Sequence, residues 1–333
     1  MSYRLKRLTC PFFSDFYTIN NIHRMKIHKV LLLFSLFFLF SGYACTQDTI
    51  EVPEIPKPDY NTLPLAIEDI KPLRALIDTA FQEKLTAALN KNKKWKRLIE
   101  QKKMAVGLVD LRDPLEPKYA RVNGNVMMYA ASLPKIAVLL AAEDAIEKGE
   151  LLESEEVKSD LRLMISKSDN EASTRMIDRL GYEKIEQVLT DPKYSLYDED
   201  YGGGLWVGKR YAKLGARYPE PLKGLSHAAT VSQVARYYYM LAYGKLVSLE
   251  RSKIMLEMMV SPELHHKFVN TLDIVAPRAK VYRKSGTWKN FHTDSALVWG
   301  PDGRRYILVA LIEDADGEKI CRELVTIAES VLM

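Results

Sequence analysis

Cysteine is scarce in this sequence: Cys10, Cys45 and Cys321 are the only three in 333 residues, too few and too scattered for a disulfide framework. The six histidines give no metal-ligand spacing, since His265 and His266 are adjacent while His227 and His292 stand alone. No Gly-x-Ser-x-Gly string occurs, which removes the nucleophile elbow of the Ser-His-Asp hydrolases. No internal repeat is visible, and no low-complexity tract beyond one short proline-rich stretch. Charge of one sign is missing as well. The formal net charge is +5, but residues 1–44 carry six Lys/Arg and one Asp, leaving 42 basic and 42 acidic side chains in the remainder. A body so balanced has no electrostatic footprint for nucleic acid.

The front end reads as a targeting segment. Met25-Lys26-Ile27-His28-Lys29 is a short basic start, residues 30–40 are apolar but for Ser35, and Ser41-Gly42-Tyr43-Ala44 supplies small residues before Cys45. This is the layout of a secretory signal, too short to span a bilayer as a mature anchor. It begins afresh at Met25, so residues 1–44 are set apart, with 25–44 as the signal proper. The cysteine that follows resembles the lipobox of bacterial lipoproteins, which implies a lipid on Cys45, export to the cell envelope and attachment to a membrane through that lipid. Residues 45–64, with Pro53, Pro56, Pro58 and Pro64, read as an extended tether. The folded domain is expected over 65–333.

Inside that domain, two amphipathic stretches over 72–90 and 92–102 precede an apolar strand at 104–111 and a second at 119–126. The centre of the chain is Tyr129-Ala130-Ala131-Ser132-Leu133-Pro134-Lys135, followed by the apolar run 136–142. Proline is tolerated only near a helix start, so Ser132 is expected in the first turn, with Lys135 one turn on and the two side chains on one face. At the positive end of the helix dipole an oxyanion is stabilised, and a lysine held against apolar walls loses affinity for its proton. That pairs a nucleophile with a base. Two further motifs follow in order: Ser168-Asp169-Asn170 between helices, and Lys284-Ser285-Gly286 on a strand, where the glycine is expected to leave room for a substrate along the edge. Ser-x-x-Lys, Ser-Asp-Asn and Lys-Ser/Thr-Gly in this order are the signature set of class A β-lactamases and penicillin-binding proteins.

From about residue 104 to its C-terminus the chain therefore resembles the class A serine β-lactamase family. Residues 230–248 are similar to its helix after the omega loop, and 294–313 with a last helix to 332 to its closing strands and C-terminal helix. The resemblance implies an α/β fold, a class A β-lactamase-like sandwich with an antiparallel sheet from 104–126 and 280–313 flanked by helices. A mainly helical part would span about 132–262. It implies Ser132 as the acylated nucleophile, Lys135 as its proton acceptor or relay, and Ser168 as the group passing a proton to the leaving nitrogen. Asn170 would hold the substrate's side-chain amide, while Lys284 and Ser285, with Arg283 before them, would meet a carboxylate. Gly286 and Thr287 complete the strand, and the N–H groups of Ser132 and Thr287 would form the oxyanion hole. No cofactor or metal is implied. The substrate would be a β-lactam or a peptidoglycan-derived peptide, with hydrolysis through an acyl-enzyme. The alternatives are a D-alanyl-D-alanine carboxypeptidase-like enzyme or a non-turnover binding lipoprotein.

Two departures stand out. Only 36 residues separate Ser132 from Ser168, which implies a wider mouth. No Glu-x-x-Leu-Asn string marks the glutamate that activates the deacylating water. Glu199 is the first candidate by position and Glu220 the second; if neither reaches the water, the acyl-enzyme persists. Gly203-Gly204-Leu205-Trp206-Val207-Gly208-Lys209 matches the start of a P-loop, but Arg210 replaces the hydroxyl that would meet magnesium. A flexible loop over the cleft is the expectation there. His227 is expected to cap or pack, residues 237–239 (three tyrosines) to sit in the core, and Trp288 to pack on its strand or touch ligand.

Overall fold

The computed structural model describes residues 60–301 and 303–333. The signal segment, Cys45 and the tether up to residue 59 lie outside the described residues. After a 3-10 turn at Leu73–Leu76, helices α1 (Thr79–Asn90) and α2 (Lys93–Glu100) begin where Asp78 and Asn92 accept hydrogen bonds from the otherwise unpaired amides of their first turns. Strands β1 (Met104–Asp110), β2 (Lys118–Val122) and β3 (Met128–Tyr129) follow, then α3 (Lys135–Glu147), α4 (Glu155–Ser166), α5 (Asn170–Leu180) and α6 (Tyr182–Thr190). Four short strands come next: β4 (Tyr197–Asp198), β5 (Gly203–Gly204), β6 (Trp206–Val207) and β7 (His227–Ala229). The chain closes with α7 (Val231–Ala242), α8 (Leu249–Met259), α9 (Phe268–Val275), β8 (Lys280–Trp288), β9 (Phe291–Trp299), β10 (Arg305–Glu313) and α10 (Gly317–Leu332).

The main sheet has the order β2-β1-β10-β9-β8 and is antiparallel throughout. Successive side chains of a strand point to opposite faces, and both faces here are covered. Met104, Val106 and Leu108, with Leu308, Ala310 and Ile312, join the apolar side chains of α1, α9 and α10, including the unpaired Cys321. Ala105 and Val109, with Ile307, Val309 and Leu311, join the larger core of the helical part. Double coverage explains why β1 and β10 read as apolar runs instead of alternating. A Cβ on Gly107 would lie 2.4 Å from Val231 Cγ1, so glycine lets the start of α7 rest on the sheet. The expected α/β sandwich, an antiparallel sheet flanked by helices, is the fold.

The first turns of α3 are apolar all round, and residues 136–142 are buried completely. Such a helix belongs inside the structure, and α3 packs against α4, α5, α6 and α8. The three tyrosines of α7 are buried as expected. The 203–209 stretch differs from expectation. Instead of a flap, β5 pairs with β4 and β6 with β7, and Trp206 is buried between Tyr197 and Tyr218 with its indole N–H donating to the Tyr218 carbonyl. Its aromatic packing outweighs the mobility suggested by the glycines.

Candidate active site

Pro134 sits at the entrance of α3, in helical conformation with φ −65°. The regular helix starts one residue later than Pro134, so Ser132 stands in the turn ahead of it and not within its first turn. The backbone N–H of Lys135 donates to the Ser132 carbonyl at 3.3 Å, which makes the approach a tight 3-10-like turn. Ala131, just before the serine, has φ +50°, and Ser168 and Lys267 have φ +59° and +55°. Three non-glycine residues in the left-handed region at one site mark stored backbone strain, held in place by the packing around them.

The first two motifs reach one cleft of about 900 Å³ through Ser132 and Asn170, and Thr287, the residue after the third motif, lines it as well. Ser132 is half-buried there, and among the described residues neither its hydroxyl nor its N–H has a hydrogen-bond acceptor in the protein. Lys135 is fully buried. Its Nζ donates to the carbonyls of Ser168 (2.6 Å) and Asp169 (3.2 Å) and to Asn170 Oδ1 (2.9 Å), and lies 4.4 Å from the centre of the Tyr211 ring. Lys284 Nζ donates to Ser168 Oγ at 2.8 Å, and Lys135 Nζ reaches the same oxygen at 3.5 Å. Ser168 thus bridges two buried lysines. Asp169 caps α5 by accepting from Ala172 N, which fixes the neighbouring Ser168 and Asn170.

Burial pushes the Lys135 amine down to about 7, and the charge of Asp169 opposes that only in part. Lys284 is held well below its ordinary value, first by burial and then by repulsion from Lys135, Arg283 and Lys267. Two ammonium groups on one hydroxyl are disfavoured, so the site stores a neutral amine near neutral pH. Among the described residues the Lys135 side chain makes no hydrogen bond to Ser132; its amine is turned toward the loop carrying Ser168. Catalytic hydrogen bonds commonly tighten only when substrate is present.

Strand β8 forms the second wall. Ser285 is buried with a hydroxyl that has no hydrogen-bond partner among the described residues, and Thr287 is exposed at the cleft. Arg283 is not available to a substrate. A strand alternates its side chains, so Arg283 points away from Lys284 into an ion pair with Asp294 and donates to the Leu264 carbonyl. Gly286 also has a reason within the protein itself. A Cβ there would stand 2.4 Å from the Ala130 carbonyl oxygen and 2.6 Å from Ser132 N. The turn that carries Ser132 itself needs the space. Gly286→Ala is expected to push β8 off that turn, lowering stability by about 1–3 kcal/mol and acylation at Ser132 at least tenfold; thermal unfolding and adduct kinetics measure the two effects.

The sequence of the beta-lactamase enzyme family matches residues 156–331 of this chain. The chain belongs to that family. Solved structures agree on the fold. A β-lactamase from Sphaerobacter thermophilus is 17% identical with a TM-score of 0.55, the alignment covering 74% of this chain and 95% of that one. PBP-A is 18% identical with a TM-score of 0.56, over 76% and 95% of the two chains. An ancestral class A β-lactamase of Gram-negative bacteria is 14% identical at 0.56, over 72% and 98%. No curated protein matches the sequence.

In this β-lactamase-family chain neither candidate glutamate lines the cleft. Glu199 is exposed on a 3-10 turn after β4, a segment held at the surface by Arg74, which pairs with Asp198 and lies over the Tyr201 ring. Glu220 is buried but already occupied: its carboxylate accepts from the amides of Leu222, Lys223 and Leu225 and from the Tyr197 hydroxyl. It organises a turn. Among the described residues, no carboxylate lines the cleft.

Sequence reasoning missed three contributors. Lys267 is fully buried behind β8 and donates to the Gly286 carbonyl (2.6 Å), Thr287 Oγ1 (2.8 Å) and the Thr293 carbonyl (3.1 Å), holding the strand that carries Thr287. Burial lowers its proton affinity. Tyr211 donates to the Ala131 carbonyl at 3.3 Å and packs against His227, ring centres 4.4 Å apart. His227, expected only to cap or pack, lines the cleft. Its Nε2 faces the Lys209 carbonyl at 3.0 Å, and since a carbonyl only accepts, Nε2 carries the proton. Nδ1 then accepts from Ser226 Oγ at 3.1 Å, and burial drops the ring to about 4, so it is neutral. Nothing in the spacing of these residues flagged them.

Proposed function

We propose that this protein is an exported serine hydrolase, lipid-anchored through Cys45, that opens an amide through an ester on Ser132 and hydrolyses that ester slowly. Export and anchoring are supported by the signal pattern before Cys45 alone. The acyl-transfer reading is carried by one observation: Ser168 Oγ bridges the buried amines of Lys135 and Lys284 beside the cleft that Ser132 and Asn170 line. The neutral Lys135 amine takes the Ser132 proton, directly or through Ser168, as Oγ bonds to the carbonyl carbon. Charge on the carbonyl oxygen meets the N–H groups of Ser132 and Thr287, each donor worth about 3–4 kcal/mol in related sites. The tetrahedral adduct then expels the amine, which collects the proton through Ser168, and water later splits the ester to the free acid and Ser132.

That last step lacks a carboxylate base in the cleft. A positioned general base contributes about 10²–10⁴-fold, and its absence favours an acyl-enzyme that outlives the acylation step. A β-lactam or a peptide ending in D-alanyl-D-alanine fits the amide and carboxylate requirements. Intact-mass spectrometry tests this directly. After exposure to benzylpenicillin and removal of free drug, the protein is expected to carry one added drug mass that decays over minutes or longer. Rapid, repeated turnover with no accumulated adduct overturns the slow-ester reading.

A further inference from the structure

The cleft carries an excess of positive charge that the rest of the body does not. Lys209, Arg210, Lys213, Arg217 and Lys289 line it, with Lys135 and Lys284 just behind, and among the described residues no Asp or Glu lines it. Of the five, only Arg210 has a carboxylate partner, Asp178. Lys209 Nζ donates only to the Lys213 carbonyl and Arg217 only to the Gly224 carbonyl, while Lys213 and Lys289 make no ion pair among the described residues. A chain with balanced charges has gathered unneutralised cations around one cavity. Their mutual repulsion is relieved only when an anion enters.

Their position relative to Ser132 says which part of the substrate they meet. Thr287 and Trp288 at the end of β8 line one side of the cleft, with Lys284 and Ser285 buried behind them. Residues 209–217 form the facing wall, fastened to the nucleophile turn by the Tyr211 bond to the Ala131 carbonyl and by the His227 bond to the Lys209 carbonyl. Ser132 stands between them. A substrate whose leaving-amine carboxylate lies against β8 therefore sends its acyl side chain toward 209–217.

We propose that Lys209, Lys213 and Arg217 recognise a second negative group, a carboxylate in the acyl portion, so that the preferred acyl donor is an anion on both sides of the scissile amide. This rests on acylation at Ser132 as proposed above, and a non-covalent assay separates the two claims. With Ser132→Ala, calorimetry compares benzylpenicillin with carbenicillin, which differs by one carboxylate on the acyl side chain. A second pair is a D-alanyl-D-alanine peptide with a free side-chain carboxylate and its amide. The dianionic member of at least one pair is expected to bind about tenfold more tightly at low salt, with the advantage fading at 0.5 M salt as the charges are screened. It should fall to near unity in a Lys209→Gln, Lys213→Gln, Arg217→Gln background. Discrimination by either pair supports the proposal and shows which acyl donor the wall suits. Equal affinity within both pairs, a preference insensitive to salt, or a preference surviving the triple substitution overturns it. Failure to acylate the wild-type enzyme, with discrimination intact in Ser132→Ala, would instead count against the reaction alone.

Discussion

Ser132→Ala is expected to abolish the covalent adduct with benzylpenicillin altogether. Loss of a serine nucleophile from a comparable hydrolase costs on the order of 10⁶-fold, and the other hydroxyls near the cleft, those of Ser168, Ser226, Ser285 and Thr287, do not stand at the entrance of α3. The variant should also be as stable as the parent. Among the described residues the Ser132 hydroxyl has no hydrogen-bond partner, and it reaches the cleft, so its removal leaves no buried partner unsatisfied, and such substitutions usually stay within about 0.5 kcal/mol. Intact mass and thermal unfolding on one sample give both answers. An adduct that forms on Ser132→Ala would place the chemistry elsewhere.

Acylation should climb with pH through about 7, because the lysine that must accept the proton is pushed down to that value by burial. Below it Lys135 is an ammonium with no lone pair; above it the amine is free. Lys135→Arg keeps a cation that cannot deprotonate, so it is expected to lose about 10²–10⁴-fold in acylation at every pH, flattening the profile. The same shift has a consequence for the fold. An unfolded Lys135 binds its proton up to its ordinary value of 10.5, whereas the folded one releases it near 7. Between those values the unfolded chain holds more protons, so this group makes stability rise with pH across that window, and its full penalty is present below 7. Lys284 and Lys267 are shifted in the same direction and add to the rise. Denaturation at pH 6 and pH 9 reads the sign; acylation independent of pH from 6 to 9 would remove Lys135 from the proton path.

How much could be read beforehand depended on the range of the interaction. Ser132 and Lys135 are neighbours in one turn, and Ser168, Asp169 and Asn170 are consecutive, so their relation is nearly local. Gly286 was recognised as special, yet its reason, the 2.4 Å approach to the Ala130 carbonyl, lies in a contact between segments about 150 residues apart. The carboxylates misled for a related cause. Glu199 and Glu220 were placed by their distance along the chain, but the 191–226 segment folds into short strands around Trp206, leaving one glutamate at the surface and the other inside a turn. Lys267 sits beside two histidines in an undistinguished stretch. Only the packing of α9 against β9 and α10 brings it to β8 as the amine that holds Thr287.

Amphipathic period, helix caps and three short motifs are properties of nearby residues, and they were enough to settle the α/β class, the order of the elements and the identity of Ser132, Lys135, Ser168 and Lys284 as candidates. Burial and charge environment belong to no single segment. The lowered proton affinity of Lys135, the cleft without a carboxylate and the cations gathered on its far wall all arise where strands and loops remote in the chain are brought together, because solvation and Coulomb forces act through space and are indifferent to sequence distance.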